Sequence, residues 1–480
     1  MQHAASFGQS PPLAAPLRFF LTAPLFAMAA AIVLLWHGPQ ALASRWSPTT
    51  LALTHLMTLG FLCLSMIGAL LQILPVVAGV TVPKPMLTAR WVHLLLVAGA
   101  AVLSTAFLGT TPLLFILAMA LLAAGFGWLL GACWLGLWRA RSPGPTPHAI
   151  RLALIALLVT IALGLTLAGA FGGAFSLPTG LSLVALTDLH ATLGLGGWVG
   201  LLVIGVAFQV VPMFQVTPDY PNRARRWLAT ALFLLLGAWA IGKSALDLSM
   251  IGPAASAGAG AWVPEVLALL AAAGYVVFGL LTLNLLWRRK RPGPDPTTLF
   301  WYVGTTSLIA CALLWVVGRW WPGMADSPAY PLGLGILSIV GFAYSIINGM
   351  LYKIVPFLVW YHLQTGFAPL AATARKAKGA RQSVPNVRQV IAETATRGQF
   401  VSHLVALLLL LAATLWPAQL ARLAAAAFLL SSCWLWINLM GAARLYRGVS
   451  SRFLTLADAR PEEPVGVISG SRPVSRDWGW

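Results

Sequence analysis

Long apolar stretches alternate with short polar connections along most of this chain. The hydrocarbon core of a bilayer needs about 20 apolar residues per helix. Twelve stretches qualify, at 17–37, 49–80, 88–109, 112–138, 148–173, 184–216, 226–247, 262–287, 297–320, 331–363, 399–416 and 419–446. The pattern predicts an all-α polytopic membrane protein with about twelve transmembrane helices, numbered here as spans 1 to 12.

Composition supports this class and excludes others. Hydrophobic residues make up 59% of the 480 residues and charged residues only 9%, against roughly 25% charged in a soluble domain. A soluble enzyme, a disordered chain and a disulfide scaffold are therefore excluded. The net charge of +19 would suggest nucleic acid in a soluble protein, but in a membrane protein it indicates cytoplasmic loops and contact with anionic lipid.

The positions of the basic residues predict the orientation. They cluster before span 1 and after the even-numbered spans, and the opposite connections carry little beyond Arg45, Arg319 and Arg422. The positive-inside rule then places both termini in the cytoplasm, as in a bacterial inner-membrane protein. Residues 1–16 lack the features of a cleaved signal peptide, so we expect span 1 to be retained. The predicted partner is membrane lipid and not nucleic acid.

A short motif recurs three times: a glycine, three residues, a long polar residue, two residues and a proline. It occupies Gly68–Pro75, Gly205–Pro212 and Gly349–Pro356, with offsets of 137 and 144 residues. Each offset covers four spans, so the chain is predicted to contain three copies of a four-helix unit.

The repeat defines a domain organisation. Residues 1–16 are predicted to form a cytoplasmic tail, and the three repeat units are predicted at 17–147, 148–296 and 297–447. The third unit contains a long cytoplasmic loop at 365–398, and a disordered cytoplasmic tail follows at 448–480.

The polar residues of the motif are Gln72, Gln209 and Lys353. The glycine permits close helix contact, the proline frees a backbone carbonyl, and the polar side chain can satisfy freed backbone groups. A structural role is favoured for the two glutamines. An ionisable group inside a span is a functional hypothesis by default, although Lys353 could also extend to the interface.

Two histidines lie near the outer ends of matching spans, His55 in span 2 and His190 in span 6. A neutral imidazole is a good ligand for iron or copper. In an α-helix Gly194 and Gly197 follow His190 on one face, and two glycines there predict a flat groove for a porphyrin. Hydrogen bonding of each histidine to a neighbouring helix is the alternative interpretation.

Three further residues were assigned to this outer site. Met66 shares the α-helical face of His55, and His37 at the end of span 1 is a third candidate metal ligand. Asp188, two residues before His190, is a candidate for orienting the metal ligand. His93, His362 and His403 are predicted to lie at the cytoplasmic interface, and a proton or anion path lined by them is the alternative interpretation.

The three units, the twelve spans and the early histidine of span 2 together resemble the haem-copper oxidase subunit I superfamily. The segment from His55 to Pro75 is more closely similar to the NnrS family, membrane proteins linked to nitric oxide stress: His55, Met57, Gly60, Phe61, Gly68 and Pro75 fit that family's helix pattern. The resemblance implies haem, with copper as a second metal, and nitric oxide or respiratory physiology.

The chain departs from the oxidases at several ligand positions. The places in span 10 that match the oxidase histidines lie near Leu334 and Ile336, and no histidine occurs there. Span 7 lacks a histidine pair for copper. The resemblance therefore carries over only to His55, gives no support to a binuclear oxygen-reducing centre, and leaves His190 as the replacement ligand on position alone.

Three functions stay open. The leading hypothesis is a haem-binding inner-membrane protein linked to nitric oxide or respiratory metabolism, with subunits of a respiratory or denitrification complex as partners and without predicted turnover. The second is a transporter with a polar path through Gln72, Gln209, Lys353, Asn348 and Tyr352. The third is an assembly partner of a respiratory complex that has no cofactor.

Overall fold

A computed structural model describes residues 11–140, 144–177, 182–249, 262–291, 293, 295–378 and 384–458. The described residues are 88% helical and form no strand. Twelve of the helices they form are long and apolar enough to cross a membrane: Ala14–Leu42, Pro48–Val77, Pro85–Gly109, Pro112–Leu137, Pro145–Phe171, Leu183–Gln215, Asn222–Ala245, Trp262–Trp287, Pro296–Trp320, Ala329–Phe367, Glu393–Leu415 and Pro417–Phe453. The predicted all-α polytopic membrane fold is confirmed.

Two predicted irregular segments are partly helical. The helix of span 10 continues to Lys378, span 11 begins at Glu393, and a single turn at Val387–Val390 lies between them. The last helix continues to Asp458, so the first residues of the predicted disordered tail are ordered. Residues 1–10, 379–383 and 459–480 of the predicted tails and loop lie outside the described residues.

Spans 2, 6 and 10 form the centre of the bundle. In their most apolar windows 78%, 72% and 78% of the residues are buried, whereas the other spans bury between 17% and 56%. Apolar side chains surround the central spans on all sides, which is the pattern of a helix packed among other helices. The end of the bundle that carries His55 is called the histidine end, and the opposite end the lysine end, after Lys353.

Each central span contains an eight-residue π-helical segment. The segments are Leu56–Cys63, Leu193–Gly200 and Leu337–Tyr344. Their starting positions differ by the same 137 and 144 residues as the motif found in the sequence. π-helical turns are rare and occur frequently at functional sites. The local backbone geometry therefore repeats along with the residues.

A cavity of about 70 Å³ lies where the three central spans meet. Each span supplies five residues at equivalent repeat positions: Ser65, Met66, Ala69, Leu70 and Ile73; Leu202, Val203, Val206, Ala207 and Val210; Ile346, Ile347, Met350, Leu351 and Ile354. A pseudo-threefold axis consequently runs through this axial cavity, as the predicted repeat requires. Gln72, Gln209 and Lys353 are not among its lining residues.

The motif glycines bring each central span close to the first span of its own unit. A β-carbon added to Gly68 would lie 2.9 Å from Phe19, one on Gly205 would lie 2.4 Å from Ala149, and one on Gly349 would lie 2.6 Å from Phe300. The close helix contact predicted for these glycines is confirmed.

A second set of repeat glycines was not predicted from the sequence. Gly60, Gly197 and Gly341 occupy equivalent positions inside the three π-helical segments. Added β-carbons would lie 2.3 Å from Phe26, 2.8 Å from Ala156 and 2.7 Å from Ser307, respectively. Each again faces the first span of its unit. Adding the repeat offsets of 137 and then 144 residues to the position of Gly60 gives the positions of Gly197 and Gly341 in turn.

Candidate functional site

The fold brings His55 and His190 together at the histidine end. Their ring centroids are 6.4 Å apart and the ring planes differ by 23°. Spans 2 and 6 are neighbouring parallel helices, and the π-helical segment of each begins within three residues of its histidine. The change from α to π geometry therefore occurs just below the histidine pair.

Both rings are held by backbone carbonyls. His55 Nδ1 donates to Leu51 O at 2.8 Å, and His190 Nδ1 donates to Thr160 O at 3.0 Å. A carbonyl oxygen can only accept, so the proton of each neutral ring lies on Nδ1 and the lone pair on Nε2. Among the described residues neither Nε2 has a hydrogen-bond partner. Metal-bound histidines are typically held in this way, by a hydrogen bond from the second ring nitrogen.

The distance between the rings fits a shared metal ion. A metal–imidazole bond is about 2 Å long, so two imidazoles on opposite sides of one ion have ring centroids roughly 6 Å apart. Within the described part of the chain no group of three or more His, Cys, Asp or Glu side chains could hold a metal ion. Two protein ligands suit a haem iron, whose other four ligands come from the porphyrin, and they also suit a two-coordinate copper(I) ion.

Aromatic side chains enclose the pair. Phe107 stacks on His55 with ring centroids 5.1 Å apart, and Phe115 and Phe171 pack against Phe107 at 5.1 and 5.8 Å. On the other side Gly164 lies against His190, since a β-carbon there would be 2.9 Å from the imidazole Cε1. The pair is therefore bordered by apolar and aromatic side chains of spans 3, 4 and 5.

The groove predicted beneath His190 is filled by span 5. A β-carbon on Gly194 would lie 3.2 Å from Thr160, and one on Gly197 would lie 2.8 Å from Ala156. The prediction assumed an α-helix, but both glycines lie in a π-helical segment, which turns side chains away from their α-helical face. These glycines pack helices and do not line the site.

The position of Met66 differs from the prediction, whereas the prediction of His37 as a ligand stays a prediction. Met66 lines the axial cavity with Val203 and Ile347, because the π-helical segment separates it from the face of His55. His37 does not complete a three-residue metal group with His55 and His190 in the described structure.

Asp188 also differs from its predicted role. Its carboxylate pairs with Arg45 at 2.8 Å, while the orienting hydrogen bond of His190 goes to Thr160. Arg45 was predicted to be one of the few basic residues on the outer side, and Asp188 pairs with its charge. The ion pair joins the start of span 2 to the start of span 6 above the histidines.

At the lysine end Lys353 forms an ion pair with Asp295, with Nζ 2.7 Å from Oδ2. Both side chains are about one-fifth exposed. Asp295 also caps span 9 and accepts hydrogen bonds from Thr297 and Thr298. Burial raises the pKa of Asp295, but the hydrogen bond and charge of Lys353, helped by the two threonines, outweigh burial and hold it at about 2. The lysine is therefore paired within the fold and does not extend into solvent alone.

His403 lies in a different place from the one predicted. It was expected at the cytoplasmic interface, yet it is completely buried in span 11. Its Nε2 lies 2.7 Å from Ser345 Oγ in span 10. The sequence gives only a weak indication that His403 is buried. Gln399 is a second polar residue one helical turn before it in the same span, and it is also completely buried.

The comparisons with known proteins give no family. A scan of protein-family models finds no match to the chain, and a search of curated proteins finds none either. The fold defines the chain as a twelve-span helical membrane protein with a pseudo-threefold core.

Proposed function

We propose that this membrane protein binds a metal centre, most favourably a haem, between His55 and His190. The observation that supports the proposal is the pair of imidazoles 6.4 Å apart, each with Nδ1 bonded to a carbonyl and Nε2 without a protein partner. The resemblance of the His55–Pro75 segment to the NnrS family supports the same residue from the sequence. Copper(I) is the second candidate for the same two nitrogens.

The residues around the pair have separable roles. The carbonyls of Leu51 and Thr160 fix the ring orientations and increase the basicity of each Nε2. Phe107 and its aromatic neighbours form an apolar wall beside His55. A haem held by His55 and His190 would supply one-electron chemistry there. With both protein ligands being histidines, the site would favour electron transfer over substrate turnover.

The cellular setting belongs to the same proposal. A location in the bacterial inner membrane with cytoplasmic termini follows from the distribution of basic residues. A role in nitric oxide or respiratory metabolism, with partner subunits of a respiratory or denitrification complex, follows from the resemblance. In the fold itself, lipid would contact the outer faces of the twelve spans.

The transporter hypothesis has less support. The axial cavity has almost entirely apolar walls and is not lined by Gln72, Gln209 or Lys353. Lys353 bonds to Asp295 and so does not project into a polar path along the axis.

The proposal is tested by metal content and visible spectra. We expect purified wild-type protein from a haem-supplemented host to show reduced-minus-oxidised haem bands or stoichiometric copper. Substituting His55→Ala or His190→Ala should weaken binding by more than roughly 100-fold, since each removes one of two protein ligands.

His148→Ala is the matched control, because His148 is outside the site and bonds to Thr230; it should leave the spectrum unchanged. Wild-type protein that takes up neither added haemin nor copper would refute the proposal. Binding that survives both substitutions would show that the ligands lie elsewhere.

A further inference from the structure

A band of buried polar side chains lies between spans 10, 11 and 12. This polar seam consists of Tyr344, Ser345, Asn348, Tyr352, Gln399, His403, Ser431, Ser432 and Asn438, of which Asn438 is half-buried and the others are buried. Asn348, Gln399 and His403 are completely buried. Polar residues inside a membrane bundle are costly, and they commonly mark the path of an ion, proton or substrate.

Hydrogen bonds join the three spans along the seam. Tyr344 and Tyr352 of span 10 bond to Ser432 at 3.3 Å and to Asn438 at 2.9 Å, both on span 12. Asn348 lies one helical turn from each tyrosine, so it shares their face. From Tyr344 to Tyr352 this face extends about 12 Å along the helix.

Span 11 completes the seam. Gln399 donates through Nε2 to the backbone carbonyl of Ser431 at 3.2 Å. His403, one turn deeper, contacts Ser345. Because span 11 begins at Glu393 at the lysine end, His403 lies about 15 Å inside the bundle. That depth corresponds to the middle of a hydrocarbon core about 30 Å thick.

Four buried polar atoms in the seam have no hydrogen-bond partner. They are Nδ2 and Oδ1 of Asn348, Oε1 of Gln399 and Nδ1 of His403. Buried polar atoms almost always have a partner. Four such atoms between the same three spans point to a ligand that both donates and accepts hydrogen bonds, and water is the smallest molecule with that property.

The hydrogen bonds of Ser345 indicate which ring nitrogen of His403 carries the proton and which keeps its lone pair. Ser345 Oγ lies 3.2 Å from Val340 O, a carbonyl of the π-helical segment to which it can only donate. His403 Nε2–H then donates to Ser345 Oγ, and Nδ1 keeps its lone pair. The backbone geometry of the third π-helical segment thus leaves a basic nitrogen in the seam.

We propose that the polar seam is a hydrated half-channel that carries protons between the lysine end and His403. A proton from bulk water passes along a chain of bound water molecules to His403 Nδ1, which becomes imidazolium and later returns the proton along the same chain. Tyr352, Asn348 and Gln399 hold these waters by hydrogen bonds and do not carry the proton themselves. The side chains that pack on the ring are Phe300 and Tyr344. Tyr344, which packs on the ring, interacts electrostatically with Cys433 and Tyr352, and no charged group among the described residues acts on His403. The proposal does not depend on a metal at the histidine pair.

Hydrogen–deuterium exchange at the imidazole C2 position of His403 tests this proposal. The exchange rate depends both on the access of water to the ring and on the protonation state of the ring. In full-length protein in detergent, mass spectrometry should detect exchange of His403 with a sigmoidal pH dependence. Asn348→Leu fills the path with an apolar group and should slow this exchange at least roughly tenfold. Asn348→Ala, which leaves space, should not slow it.

Asn284→Leu makes the same change at an exposed position on span 8 and should leave the His403 rate unchanged. If Asn348→Leu does not fold, Gln399→Leu blocks the path one turn from His403 and should give the same slowing. Absence of His403 exchange at every pH in the wild type, or an equal rate in the blocking variant, would overturn the half-channel.

Discussion

Replacing Gly60 by alanine should lower the free energy of unfolding by about 2 kcal/mol or more. The added β-carbon would lie 2.3 Å from the Phe26 side chain, in a fully packed region between spans 1 and 2. Phe26 cannot move aside without displacing other buried residues, so the helices must separate. Thermal unfolding in detergent measures the loss, and the same substitution at Gly197 or Gly341 should act in the same direction.

Gly127→Ala is the matched control for this prediction. Gly127 lies in the span 4 helix, and a β-carbon there would meet no atom within 4 Å. Alanine should stabilise that helix by about 0.5–1 kcal/mol, since glycine is the poorer helix former. Equal stability of the Gly60→Ala variant and the wild type would show that the repeat glycines do not set the distance between spans.

Asp295→Asn should destabilise the protein by about 3 kcal/mol, because it leaves the Lys353 ammonium partly buried without its carboxylate. Asparagine can still cap span 9, so the loss reports the missing charge. Lys353→Met should cost less, since Asp295 keeps its hydrogen bonds from Thr297 and Thr298. The double variant should recover part of the loss, which a double-mutant cycle measures.

Stability should also depend on pH through this pair. The pKa of Asp295 is lowered to about 2, so its contribution is full above its ordinary pKa of about 4 and is lost as the pH falls towards 2. Asp295→Asn should remove this part of the acid sensitivity. Asp219→Asn, which breaks the exposed pair with Arg225, is the control and should change stability by less than about 1 kcal/mol. Similar effects at both sites would contradict a special role for the Lys353 pair.

The sequence predicted the spans and the repeat, because both depend on residue type at fixed positions. Helix length and hydropathy are sufficient to define a span. The offsets of 137 and 144 residues relate the motif, the π-helical segments and the lining of the axial cavity. Gly68 and its equivalents were correctly interpreted, since a glycine at a helix contact has a direct steric meaning.

The errors at the site have a common cause. Hydropathy does not distinguish α-helix from π-helix, and the faces assigned to Met66, Gly194 and Gly197 assumed 3.6 residues per turn. The depth of His403 was also hidden, because span 11 was predicted to begin at residue 399, four residues before it, whereas the helix begins at Glu393. Its contacts with Ser345 and Phe300 decide this in the fold.

Ion pairs between residues that are far apart in the sequence could not be predicted from the sequence either. Arg45 and Asp188 are 143 residues apart, and Asp295 and Lys353 are 58 apart. A charge count shows that such groups need partners inside a membrane protein, but only the packed helices show which ones they find.

The most direct test of the central claim is pulsed electron paramagnetic resonance of the oxidised protein with ¹⁵N-labelled histidine. If His55 and His190 hold one metal centre, the wild type should show hyperfine coupling to two directly bound imidazole nitrogens. His55→Ala and His190→Ala should each lose one coupling or the whole metal signal. Couplings that are the same in the wild type and both variants, or a metal-loaded protein without imidazole coupling, would contradict the account.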